Sequence, residues 1–206
     1  MKTENKHTDS APRLARALPF ILITSGIIGF ICSFILTIDK FNLLANPNFR
    51  PNCNLNPVIS CGSVMSSAQG SAFGFPNPFL GLAAFAVIGT VGVGMLAGAK
   101  YKHWFWLALN GGLLFALGFV HWLFYESVYR INSICPYCIV VWITVITTFW
   151  YVTIYNTREG HLPLPRRLVG VADFVRRHHF EILIVWLLVI AILILKHFWY
   201  YYGQFI

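Results

Sequence analysis

Apolar residues along this chain gather into five long runs, at about Leu18–Ile38, Pro78–Gly98, Trp104–Tyr125, Cys135–Tyr155 and Phe180–Tyr201. Each run holds about 20 residues, and at about 1.5 Å rise per residue a helix of that length crosses a hydrocarbon core about 30 Å thick. Backbone groups in lipid must bond within their own segment, so helices are the expected form. Between the first two runs lies a polar loop, Asp39 to Asn77. Within it Val64, Ala68, Ala72 and Phe75 recur at i, i+4, i+8 and i+11, with Met65 beside them. That spacing predicts a short half-buried helix lying across the mouth of the bundle as a lid. Glycines 62, 70 and 74 also permit an irregular loop.

Composition agrees with a lipid environment. Apolar residues make up 57% of the 206 and charged residues 11%, more apolar surface than a soluble domain of this size can hide. The net charge is +8, and its basic residues sit in clusters between apolar runs, which argues for membrane orientation over nucleic-acid binding. Lys2, Lys6, Arg13, Arg16, Lys100, Lys102, Arg158, Arg166, Arg167, Arg176 and Arg177, eleven of the fifteen Lys and Arg, fall on one side. The positive-inside rule makes that side cytoplasmic. The loop from Asp39 to Asn77, the turn from Glu126 to Ile134 and the C-terminus then face outward, and the expected location is the plasma (inner) membrane. Met1–Arg16 lacks a cleavage site and reads as part of a retained anchor. Gly26, Gly29, Gly94, Gly98, Gly111, Gly112 and Gly118 are expected to let helices approach closely. Trp104 and Trp106 on the inner side, and Trp199 to Tyr202 on the outer, read as interfacial anchors.

Four of the five cysteines carry the candidate chemistry. Cys53 and Cys61 form a C-x7-C pair in the outer loop, and Cys135 and Cys138 a C-x2-C pair where the fourth run begins. Both pairs fall on the outer side by a charge count that ignores cysteine. Pro136 suits the first turn of a helix and predicts a start at or near Cys135. A thiol there meets unpaired N–H groups and the positive end of the helix dipole, both of which favour thiolate. Cys138, almost one turn deeper, points toward the lipid core. Thiolate attack on a disulfide moves two electrons, so two such pairs can form a relay. Structural zinc fits poorly, since C-x7-C is outside the usual ligand spacing and no histidine lies near either pair. A permanent Cys53–Cys61 disulfide would account for the loop pair and leave the other unexplained. Cys32, mid-span, reads as a packing residue. With no haem-attachment, nucleotide-binding or cluster-binding motif, a lipid-soluble quinone is the electron sink left by elimination.

These residues resemble the vitamin K epoxide reductase family, in its bacterial quinone-coupled, thiol-oxidising form. The likeness is carried by Asn52-Cys53-Asn54, Ser60-Cys61-Gly62-Ser63-Val64, Ser66-Ser67, Phe73-Gly74-Phe75-Pro76-Asn77 with Gly81, and Cys135-Pro136-Tyr137-Cys138, and spans about Leu18 to Tyr155. The resemblance implies an all-α integral membrane four-helix bundle around a quinone (menaquinone or ubiquinone), a capping helix in the outer loop, and here a fifth transmembrane helix. It divides the chain into an N-terminal tail (1–17), a catalytic core (18–156), a basic linker (157–179) and the fifth helix with the outer C-terminus (180–206). It makes Cys135 and Cys138 the active-site pair, with Cys138 beside the quinone, and Cys53 and Cys61 the shuttle pair that meets a partner thiol protein. Asn77 matches an amide that bonds a quinone carbonyl and Ser67 a small hydroxyl near the site. Met65, Phe73 and Trp142 complete the expected quinone contacts, Trp142 standing where some relatives carry tyrosine. Many bacterial relatives bear a thioredoxin-like domain after the fifth helix. This chain stops at Ile206, so its thioredoxin-like partner is expected to be a separate outward-facing protein.

The expected activity is therefore a membrane thiol–disulfide oxidoreductase supporting disulfide formation. Two other readings stand beside it: a quinone epoxide reductase on the same fold, and a small channel or transporter with structural cysteines. The last calls for ionisable groups inside the spans, where His121 is the candidate and also reads as a packing histidine.

Overall fold

A computed structural model describes residues 10–46, 48–162, 165, 167 and 169–203. In chain order the helices are α1 (Ser10–Ala45), α2 (Cys61–Ser66), α3 (Pro78–Leu96), α4 (His103–Tyr125), α5 (Pro136–Arg158), α6 (Val169–Arg177) and α7 (His179–Tyr202). Five segments are long and apolar enough to cross a membrane: Leu14–Ala45, Pro78–Leu96, His103–Ile131, Pro136–Arg158 and His179–Tyr201. The protein is an all-α membrane bundle. Lys2, Lys6, Pro163, Arg166 and residues 204–206 lie outside the described residues.

Helix α1 packs along α3 and against α5, and α4 packs on α5. The α1–α3 contact is close because both backbones are bare where they meet. A Cβ on Gly26 would lie 2.6 Å from the Gly89 Cα, and one on Gly92 2.8 Å from the Pro19 carbonyl oxygen. Such small-residue faces let van der Waals packing replace the hydrophobic drive that lipid removes. Between α4 and α5 the glue is polar. Asn156 Nδ2 donates to the Trp106 carbonyl at 3.1 Å and to Asn110 Oδ1 at 2.9 Å. Helix α7 lies on the periphery, where Trp186 Nε1 donates to His121 Nε2 at 3.2 Å while His121 Nδ1–H donates to the Leu117 carbonyl at 2.8 Å. His121 thus fastens α7 to α4.

Several expectations need correction. The lid is two pieces, α2 and a 3-10 turn over Ala68–Ser71, because Ser67 is extended (φ −72°, ψ 157°) and caps the second piece. The segment after α4 continues as a π-helical turn, Glu126–Ile131, before Asn132 reverses the chain at φ 55°. Gly111, Gly112 and Gly118 meet no neighbouring atoms, Gly94 faces the Tyr101 side chain, and Gly98 has φ 85° in open space at the end of α3; none of these brings helices together. Trp106 is 3% exposed and packs on Tyr155, so it belongs to the core, whereas Trp104 is 65% exposed as an interfacial anchor would be. The segment read as a linker carries α6.

Candidate active site

At one end of the bundle the polar loop folds back over the start of α5. Its polar residues do the folding. Asn56 Oδ1 accepts from the Val58 and Ile59 amides at 2.9 and 2.7 Å, turning the chain. Asn54 Oδ1 accepts from the Gly62 amide at 2.8 Å and from Ser60 Oγ at 3.3 Å. Ser60 caps α2 by accepting from the Ser63 amide. The loop so held carries a Cys53–Cys61 disulfide, with Cys61 the first residue of α2. A parallel bridge between Ile59 and Ile134 then sews the loop to the chain entering α5.

Cys135 is the N-cap of α5, followed by Pro136 at the first helical position, as the sequence predicts. Its Sγ accepts from the Cys138 amide at 3.4 Å, and both sulfurs are thiols. The Cys135 thiol is held below the usual cysteine range. The hydrogen bond from the Cys138 thiol is the largest cause, with help from the Cys138 and Tyr137 amides, and together they outweigh burial and the nearby Asp39 carboxylate. Cys53, Cys61 and Cys135 are all buried in one apolar cluster with Leu36 and Met65, and Cys138 packs against it. All four sulfurs therefore share one site.

Behind Cys138 opens a cavity of about 690 Å³, within the range of small-molecule sites. Helices α3 and α4 do not pack against each other along their length, and the space between them forms much of this cavity. Asn77, Met65, Trp142 and Cys138 all stand on its wall, and the lid closes its cysteine end through Val64, Met65, Gln69 and Gly70. The Asn77 amide braces the lid: Nδ2 donates to the Gln69 carbonyl at 2.7 Å, and Oδ1 accepts from the Ala72 amide at 3.0 Å. Among the described residues, one Nδ2 hydrogen is left over. Ser67 and Phe73 are not on the wall. Ser67 Oγ donates to the Val64 carbonyl at 2.7 Å and accepts from the Gly70 amide, holding the break in the lid. Phe73 lies against Phe119 and Phe115, rings that do line the cavity.

Sequence reasoning passed over three residues here. Lys40, in the extra turns of α1, donates from Nζ to the Met65 carbonyl at 2.6 Å and fixes the lid near the end of α2. Gln69 Nε2 donates to Glu126 Oε2 at 3.0 Å, tying the lid to the π-helical turn. Glu126, 6% exposed, lines the cavity. The signal for Glu126 was available, as an acidic residue at the very end of an apolar run. Lys40 and Gln69 carried none, because their roles depend on how the loop folds back.

The model of the vitamin K epoxide reductase family matches residues 20–153. No curated protein matches the chain closely enough to count as a relative.

Proposed function

The chain belongs to the vitamin K epoxide reductase family, and from that premise we propose that it reoxidises a separate thioredoxin-like protein outside the cytoplasm and passes the electrons to a membrane quinone. Membership itself makes it a membrane thiol–disulfide oxidoreductase. The observation that carries the finer reading is the shared site: two cysteine pairs in one buried cluster, with Cys138 also on the wall of an apolar cavity.

The steps follow from that arrangement. A reduced partner attacks the Cys53–Cys61 disulfide and leaves oxidised, with both loop sulfurs as thiols. One loop thiolate attacks Cys135 of the oxidised inner pair, and Cys138 departs as thiolate. The second loop thiolate closes Cys53–Cys61 and frees Cys135. The inner dithiol then re-forms its disulfide, giving up two electrons. A quinone bound in the cavity would supply the acceptor for these two electrons, with two protons. Met65 and Trp142 offer an apolar surface for the ring, and the remaining Asn77 N–H a donor for a carbonyl oxygen. Ser67 holds the lid and Phe73 backs the cavity wall. The cavity's size and apolar lining support a quinone headgroup with part of its tail.

Arg16, Lys100, Lys102, Arg158, Arg167, Arg176 and Arg177 fall in or beside the segments at the opposite end from the cysteines. By the positive-inside rule we place that end in the cytoplasm and the cysteines outside, in the plasma membrane. The test is turnover of purified protein with a reduced thioredoxin-like dithiol protein and a short-chain quinone. Cys138→Ala should abolish quinone-dependent disulfide formation. Normal turnover by that variant would refute the relay.

A further inference from the structure

Of the side chains that wall the cavity, Cys138 and Glu126 are the two that bear a thiol or carboxyl group. Electron transfer accounts for Cys138. Nothing in it uses Glu126, although a carboxyl group buried in an apolar wall at membrane depth is costly and marks proton or ion routes. The two oxygens of Glu126 face different surroundings. Oε2 accepts from Gln69, a lid residue that is itself on the cavity wall. Oε1 stands 3.7 Å from Nε of Arg130, whose side chain is 64% exposed. The carboxyl thus spans the distance from the cavity to the wet rim. It sits on a π-helical turn, a distortion of the helix that is common at functional sites.

We propose that Glu126 relays a proton from the outer rim, beside Arg130, to an oxygen of the quinone as it is reduced. This rests on the reading of the cavity as a quinone site. The proton count calls for such a route. Forming the Cys135–Cys138 disulfide from a Cys135 thiolate and the Cys138 thiol that donates to it yields two electrons and one proton, whereas quinol formation consumes two of each. The partner's two protons are released into water at the rim, where its dithiol is oxidised. At least one proton must therefore enter the cavity separately from the electrons. Glu126 gives its proton to one carbonyl oxygen of the quinone and is reprotonated from rim water, while the proton of Cys138 goes to the other oxygen. No further oxidant or reductant is needed.

Two measurements test this. Dicyclohexylcarbodiimide reacts with protonated carboxyl groups in apolar surroundings, and peptide mass spectrometry reads the adduct. Glu126 should be modified, and a short-chain quinone should protect it; absence of an adduct on Glu126 would overturn the proposal. The second is rapid mixing of protein reduced at Cys135 and Cys138 with the same quinone, in H2O and D2O. Glu126→Gln should slow quinol formation by on the order of 10²-fold and raise the solvent isotope effect. Glu126→Asp, which keeps the carboxyl group, should recover much of the rate. A Gln variant as fast as wild type, or an Asp variant as slow as Gln, would show that shape and not proton transfer is what matters. Should wild-type protein itself form no quinol, the underlying quinone reading fails, and this inference with it.

Discussion

Ile59 and Ile134 lie side by side in a parallel bridge that sets one cysteine pair against the other. The Ser60 amide donates to the Ile134 carbonyl at 3.0 Å, and the Ile134 amide to the Val58 carbonyl at 2.7 Å. Cys61 follows two residues after Ile59, and Cys135 one residue after Ile134. Of the loop pair, Cys61 is fully buried, while Cys53 retains 7% exposure. From this geometry we propose that Cys61 exchanges with Cys135 and that Cys53 meets the partner. Under mild oxidant, Cys53→Ala/Cys138→Ala should form a Cys61–Cys135 cross-link readily, and Cys61→Ala/Cys138→Ala should form Cys53–Cys135 several-fold more slowly, as read by peptide mass spectrometry. The opposite order would reverse the assignment.

Cys135 should stay reactive at lower pH than an ordinary thiol. Its depressed pKa means that thiolate persists below the reference value of 9.0 and is lost only as pH falls through the shifted value. In reduced protein, the pH profile of iodoacetamide labelling at Cys135 should have its midpoint below 9.0. Cys138→Ala removes the largest stabilising contribution and should move that midpoint upward. An unchanged midpoint would mean that the backbone amides alone set it.

The contact of Gly26 with Gly89 leaves no room for a side chain. In Gly26→Val, the first added carbon would lie 2.6 Å from backbone, which cannot swing aside as a side chain can. Overpacking of this kind costs about 1–3 kcal/mol. Thermal unfolding in detergent should show the loss, while Gly111→Ala, which meets open space, should unfold as wild type does.

One of the long-range bonds that hold the lid runs from Lys40 to Met65. Lys40→Met keeps most of the side chain's bulk and removes the donor, at a cost of about 1.5–3 kcal/mol, as for other hydrogen bonds to charged groups. Because Met65 walls the cavity, the effect should appear as a raised KM for quinone at little change in kcat. A fall in kcat alone would place Lys40 in the sulfur exchange instead.

The spans and the start of α5 were legible because their signals are local: apolar length, and proline just after Cys135. The shared cysteine site was legible as a placement on one side, since charge asymmetry and cysteine position are both linear features. The break at Ser67 was not, because periodicity over Val64–Phe75 cannot show that a serine hydroxyl bonds two backbone groups and starts a new turn. Nor was the extension of α4 to Ile131, since polar residues at a helix end look the same whether the helix stops or widens. Gly111 and Gly112 show the limit of composition. A glycine permits close approach, but only the neighbouring helix decides whether it happens, and here no neighbouring atom comes near them.

The central claim is that electrons from all four thiols reach quinone through the inner pair alone. Fully reduced protein, mixed anaerobically with excess quinone, should yield two quinols per molecule of wild type, one from Cys53→Ala/Cys61→Ala and none from Cys135→Ala/Cys138→Ala. Quinol formed by the last variant, or a single quinol from wild type, would contradict the account.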